Sequence, residues 1–369
     1  MAPLISTFGA ASSRGFGGIG ASSGTPITSV AFVAGVTDDT IYALDVSDPT
    51  NPVELDTLSG STFNGVSGIA ADPTNKRIYF CTRNATRRVG VIDVSNPKSM
   101  SLGTTFNVGS EPLFSCDIDV TNSRLWVASE TYVYGIDVSN QGSFSNLGNR
   151  GIGGTNDFDV SVDPDTGYVY ANASGGSDPS GRLSLIKWTG TAVDTVDDQD
   201  IYYGYGGLGI APSGDGDNVF IAISSGSQEQ VLLKEGFTSG QYTDQIANAS
   251  GFSSSGNLDG ARLNVFHRSR NYLYTMSGPN SYKLVTIDVS DINSPSLVRT
   301  RGGGTTYLNQ PMFGYLDDTN DKLYITNYDS NGSYLSIANV SGNASFIAKH
   351  TFTGSEIGQV KVINYDPAV

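Results

Sequence analysis

Along most of the chain, apolar residues come in runs of four to seven, rich in β-branched and aromatic side chains and bounded by clusters of Asp, Asn, Ser, Pro and Gly. Such runs are too short for ordinary helices and carry turn formers on both sides, so they predict strands. The stretch GIAADPTNKRIYFCTRNATRRVGVIDVSNP, residues 68–97, reads strand, turn, strand, turn, strand, and SLGTTFNV at 101–108 adds a fourth. The cores of the second strands, IYF, LWV, VFI and LYI, are apolar throughout rather than alternating, the pattern of strands covered on both faces.

Recognisable copies of this unit recur to the C-terminus. Second strands fall at SVAFVAG, KRIYFCT (76–82), SRLWVAS (123–129), GYVYANA (167–173), NVFIAIS (218–224), NYLYTMS (271–277) and KLYITNY (322–328). The third strands share an anchor at Asp45, Asp93, Asp137, Lys187, Lys234, Asp288 and Asn339, a period of about 49 residues. Four strands per period predict an all-β, seven-bladed β-propeller of four-stranded antiparallel blades over residues 27–369, behind a Gly, Ser and Ala-rich leader, residues 1–26. The first copy lacks its first strand, whereas the chain ends with a surplus one, QVKVINYDPAV. The C-terminal strand is therefore expected to join the N-terminal blade and close the ring, which removes an open sheet edge.

Composition narrows the partners. The net charge is −15, and Lys and Arg are nowhere dense enough to offset it, so nucleic acid is not expected to bind. Thirty of the 36 acidic residues are Asp, which points to turn chemistry. Cys81 and Cys116 lie inside strands and are expected to be buried thiols. No apolar run has the length of a membrane span, and the leader has neither the basic region nor the continuous apolar core of a signal peptide. GFGGIG, residues 15–20, matches the dinucleotide fingerprint only formally, because no strand precedes it and no helix follows.

The most repeated motif is Asp-Val-Ser-Asx, at Asp45 to Asp48, Asp93 to Asn96, Asp137 to Asn140 and Asp288 to Asp291. It resembles the LVIVD repeat of β-propellers, in which a strand runs out through Val-Asp-Val-Ser-Asp-Pro into a turn. A second turn recurs at Asp72, Asp119, Asp163, Asp317 and Asp366, with Ser213 and His267 in the remaining copies. The spacing of one blade between successive aspartates favours turn stabilisation over metal binding, so no metal or cofactor is expected. His267 reads as a substituted turn residue, and His350 as part of an outer strand. No nucleophile elbow, HExxH or Cys-x-x-Cys is present. Near the expected axis, Asp157, Asp159, Asp259, Arg262 and Lys361 form either a reactive set or a solvated channel lining.

Strand order places the short, Asp-rich turns on one face and the longer loops on the other. Those loops carry Phe63, Tyr202, Tyr203, Tyr205 and Tyr307 beside the amides Asn64, Asn156, Asn309 and Gln310, a mixture suited to carbohydrate or protein surfaces. The leader segment PLISTFGAASSRGFGG, with Leu4, Ile5, Phe8, Arg14 and Phe16, resembles the N-terminal segments of tailed-phage virion structural proteins. That resemblance implies a non-enzymatic virion component (tail, fibre or decoration), present in multiple copies. Its leader would dock to other virion proteins while the propeller assembles or meets a host-surface glycan or protein. The alternatives are a bacterial extracellular or surface LVIVD-type binding protein and, third, a propeller hydrolase or lactonase.

Overall fold

The computed structural model describes residues 26–366 apart from 85–86, 153–155, 175–180, 202–208, 215–217, 224–229, 236–242, 247–260, 278–281, 293 and 355. The protein is an all-β propeller of four-stranded antiparallel blades. Among the described residues the strands form seven four-stranded sheets. Six of them are each built from four successive strands. The remaining sheet combines Ser29–Gly35, Thr40–Asp45 and Val53–Ser59 with Ile357–Asn364 from the other end of the chain. No helix among the described residues is long and apolar enough to cross a membrane.

The innermost strands complete a circuit. Ile357–Asn364 packs beside Val66–Asp72, and Leu113–Asp119, Asn156–Val162, Gly209–Pro212, Ala261–His267 and Pro311–Asp317 follow in turn, the last lying against Ile357–Asn364 again. The closure predicted for the chain ends is present: Ile363 pairs with Val30, Lys361 with Phe32 and Val360 with Val33. Ile357, Val360, Val362 and Ile363 are buried in the packing between sheets.

One aromatic residue per sheet stands at a common register. Tyr79 pairs with Ala70, Trp126 with Asp117, Tyr170 with Ser161, Phe220 with Ala211, Tyr274 with Val265 and Tyr324 with Tyr315, while Phe32 pairs with Lys361. All seven rings are buried and fill the space between sheets, the burial on two faces that continuous apolar runs call for. Large rings on the second strands leave the first strands free to carry small or polar residues toward the axis.

The turn aspartates act as the sequence predicts. Asp72 accepts from the backbone N–H and side-chain amide of Asn75 at 3.0 and 2.7 Å, and Asp119 with Asn122 and Asp317 with Asn320 repeat the arrangement. The residues that follow, Lys76, Ser123 and Asp321, take the left-handed backbone that reverses the chain, with φ of 52°, 53° and 53°. In the Asp-Val-Ser motif, the Ser47, Ser95, Ser139 and Ser290 N–H groups donate to Asp45, Asp93, Asp137 and Asp288. The bonds from Ser95 and Ser139 hold the Asp93 and Asp137 carboxyls below the usual carboxylate range.

Asp366 does not belong to this set. The register puts Ile363 at the place of Asp72, since Ile363 pairs with Val30 and Val30 with Asp45. In that sheet the first and second strands come from opposite chain ends, so no connecting turn exists for an aspartate to stabilise. Cys81 and Cys116 are buried free thiols, as their positions inside strands predict.

Candidate axial site

The first strands enter the ring from the long-loop face, and most of them do so through a register irregularity. Pairing shifts between Val66 and Gly68, Leu113 and Ser115, Asn156 and Asp159, Ala261 and Leu263, and Pro311 and Phe313. An extra residue at this point bends the strand and re-aims the side chains that follow it. Two tiers result, separated by two residues along each strand. The outer tier contains Gly68, Ser115, Asp159, Gly209, Leu263, Phe313 and Gln359. The inner tier contains Ala70, Asp117, Ser161, Ala211, Val265, Tyr315 and Lys361.

Most positions in these tiers are small or apolar, and four are not. Asp117, Asp159, Gln359 and Lys361 line one axial cavity together with Ser161, Asn264 and Phe313. A second hollow opens from it toward the long-loop face, lined by Ser67, Arg83, Phe114, Asp159, Met312, Phe313 and Glu356. Asp159 borders both, so it stands where the mouth meets the shaft. The mouth is walled mainly by apolar surface and the shaft mainly by polar groups, so a small molecule would meet convergent polar groups at the bottom of an apolar entrance.

Lys361 Nζ lies 3.1 Å from Asp117 Oδ1, and both side chains are largely covered. Burial opposes the ammonium charge, but the Asp117 carboxylate more than compensates, and the net effect raises the Lys361 pKa. The other Asp117 oxygen accepts from Val162 N–H at 2.9 Å, which fixes its plane. The Asp159 carboxyl is pushed up to about 7, chiefly by burial and further by Asp117, against the opposing pull of Lys361 and the Val160 and Ile210 N–H groups. At the mouth, Arg83 is ion-paired with Glu356.

Several of the expected loop residues do other work. Phe63 is a core residue, 3% exposed and packed 5.0 Å from the Phe80 ring, so it cannot serve as a surface contact. Its loop folds inward because that sheet boundary needs an apolar plug over Val66, Ile69 and Ile78. Asn64 donates to Asp39 at 3.1 Å, bracing its own loop. Tyr307 stacks on Phe346 at 5.1 Å, Asn309 N–H donates to Asn327, and Gln310 takes left-handed backbone with φ of 51°. None of these residues lines the axial cavities. The backbone of Asn156 pairs with Ser174, while the side chains of Asn156 and Asp157 lie outside the described part of the structure. Tyr202, Tyr203, Tyr205, Asp259 and the whole leader, with Leu4, Ile5, Phe8, Arg14 and Phe16, also lie outside the described residues.

Of the residues expected at the axis, Asp159 and Lys361 are brought together there. Arg262 does not line that cavity, and its guanidinium lies 4.0 Å from the sulfur of Met312, a residue of the mouth. His267 is fully buried on the turn face, with Nδ1 2.9 Å from Asp318 and Nε2 3.1 Å from Asp321, away from the axis as expected. Asp117, Gln359, Arg83 and Glu356 were not anticipated. The signal for the first two was present, since each is polar at a first-strand position where other copies carry Gly, Ala, Val or Leu.

The placement of Phe63 is directly testable. Phe63→Ala should destabilise the protein by about 3–5 kcal/mol, the usual cost of emptying a buried aromatic site. Urea unfolding would measure it, and an unchanged midpoint would return Phe63 to the surface.

No protein-family model matches the chain, and no curated protein matches it. Solved structures do match. A Lactobacillus plantarum protein superposes with a TM-score of 0.70 at 13% identity, covering 91% of this chain and 99% of its own. A 6-phosphogluconolactonase candidate from Bacteroides fragilis gives a TM-score of 0.69 at 12% identity, covering 91% of this chain and 98% of its own. The periplasmic gluconolactonase of Pseudomonas aeruginosa gives 0.65 at 13% identity, covering 91% and 99%. At such identities the likeness establishes the propeller fold and no more. The expectation of a non-enzymatic virion component is corrected against these matches: two of the three are named as lactonases, and none is named as a virion protein. The leader resemblance that carried that expectation spans residues outside the described structure, whereas Asp117, Asp159 and Lys361 line one axial cavity.

Proposed function

We propose that this protein is a lactonase-type hydrolase that opens the ring ester of a small polyhydroxylated lactone at the axial cavity. The observation that carries this reading is Asp159: a carboxyl with a pKa of about 7 at the junction of mouth and shaft, on a bulged strand. A carboxylate so tuned accepts a proton more readily than an ordinary one and is half-ionised at neutral pH. It takes a proton from a water molecule as the oxygen of that water adds to the lactone carbonyl carbon. The ring C–O bond then breaks, the leaving oxygen recovers a proton, and a hydroxy acid departs. Lys361, kept cationic by Asp117, presents its ammonium in the same cavity, close enough to offset negative charge developing on the carbonyl oxygen. The lactonases among the solved propellers support the substrate class.

The ring is read as seven-bladed, one blade per sheet, with the LVIVD-like Asp-Val-Ser turns as scaffold on the opposite face. Hydrolysis of a panel of aldonolactones, followed by acid release in weakly buffered solution, tests the proposal. Saturable turnover above the spontaneous rate is expected, with kcat/KM rising through pH 7 as Asp159 ionises. A rate equal to the blank for every lactone between pH 6 and 9 would reject it.

A further inference from the structure

Gln359 is the least ordinary polar residue of the axis. It sits in the strand that closes the ring and is 6% exposed. Its Oε1 accepts from Ile69 N–H at 2.9 Å and from Cys116 N–H at 3.2 Å. These two donors belong to the innermost strands of two successive sheets, so a single side-chain oxygen bridges both. Turning the amide over would set its NH2 group against two backbone N–H groups, and the orientation is therefore fixed. The Nε2 end donates to no described residue, and the side chain lines the cavity shared with Asp117, Asp159 and Lys361.

We propose that Gln359 Nε2 is the hydrogen-bond donor that receives the carbonyl oxygen of the substrate and stabilises the oxyanion formed when water adds. The inference rests on the hydrolase reading and assigns to Gln359 a role that the reading does not require. An amide locked at its far end by two sheets presents its N–H bonds without reorganisation, which is what stabilisation of a developing charge demands. The donor is also neutral, so it leaves the Asp117–Lys361 pair undisturbed. It specifies an acceptor on the ligand and so favours an ester-type carbonyl over an amine or a cation.

Gln359→Glu separates the two ends of the side chain. The carboxylate still accepts from Ile69 and Cys116, so the bridge between sheets persists, but the cavity donor is gone. With aldonolactone as substrate at pH 8, kcat should fall by about 10²–10³-fold and KM should change little, while the added carboxyl beside Asp117 and Asp159 lowers the melting temperature without removing the cooperative transition. Wild-type turnover with undiminished kcat in Gln359→Glu overturns the inference and leaves the lactonase reading standing. A wild-type chain that hydrolyses no lactone overturns both. Should the variant fail to fold, gluconate is titrated into ¹⁵N-labelled wild type and the side-chain amide signals are followed. Shifts in the Gln359 pair support the assignment, and signals that stay fixed while gluconate binds overturn it.

Discussion

Asp159→Asn should stabilise the protein at pH 8 while removing its hydrolytic activity. The sign follows from the direction of the shift. In the folded state the Asp159 carboxyl holds its proton up to about 7, whereas in the unfolded chain it loses it near the ordinary value of 3.8. Below the unfolded value both states are protonated, and the group is neutral toward stability. As pH rises from about 4 to about 7 the unfolded state sheds its proton first, so folding stability declines, and above 7 the loss is complete. At roughly 1.4 kcal/mol per pKa unit, the cost at pH 8 is on the order of 2–4 kcal/mol, reduced toward the lower figure because the carboxyl opens on a water-accessible cavity. Asn keeps the shape and cannot ionise. Its melting temperature should therefore exceed that of wild type by several degrees at pH 8 and converge on it near pH 4, with turnover lost at every pH. A wild-type advantage at pH 8 would show that Asp159 serves the fold instead.

Removal of residues 357–369 should abolish the folded monomer. The excised strand buries Ile357, Val360, Val362 and Ile363 and completes the sheet that, among the described residues, is built from both chain ends. At about 1.5–3 kcal/mol for each buried side chain, the apolar loss alone is comparable to the 5–15 kcal/mol that holds a typical domain together. The Ser29–Gly35 strand would become an open edge able to pair with another chain. Size-exclusion chromatography with light scattering should show aggregates or oligomers, and the cooperative thermal transition should vanish. A monomer with the wild-type melting temperature would exclude closure as the source of stability. Because Gln359 and Lys361 lie on this strand, the truncated chain should also be inactive, which makes closure of the ring a condition for assembling the site.

How far the site could be read in advance differs residue by residue. Asp159 and Lys361 stood out as charges on first strands whose counterparts are small or apolar. Asp117 passed as one of many aspartates, because the neighbouring Asp119 belongs to the repeated turn and drew the pattern to itself. Gln359, uncharged and two residues before Lys361 on the same strand, was passed over in favour of the charged residue. Asp366 was misplaced as a turn residue because the register of this strand is set only by its partner from the other chain end, and that pairing puts Ile363 there instead. Phe63 shows the converse error: an aromatic in a long loop reads as a surface contact until the sheet beneath it proves to need a plug.

The sequence by itself determined the strand runs, the repeat, the turn chemistry of its aspartates and the joining of the two chain ends. All of these depend on contacts within about fifty residues or on a pattern repeated often enough to average out local noise. Only the tertiary structure brought Asp117 and Gln359 to the Asp159 and Lys361 expected at the axis. Asp117 and Lys361 are 244 residues apart, and Gln359 bridges donors 290 and 243 residues away. Such meetings depend on the circular order of the sheets and on bulges that re-aim single residues, and neither leaves a periodic trace in the chain.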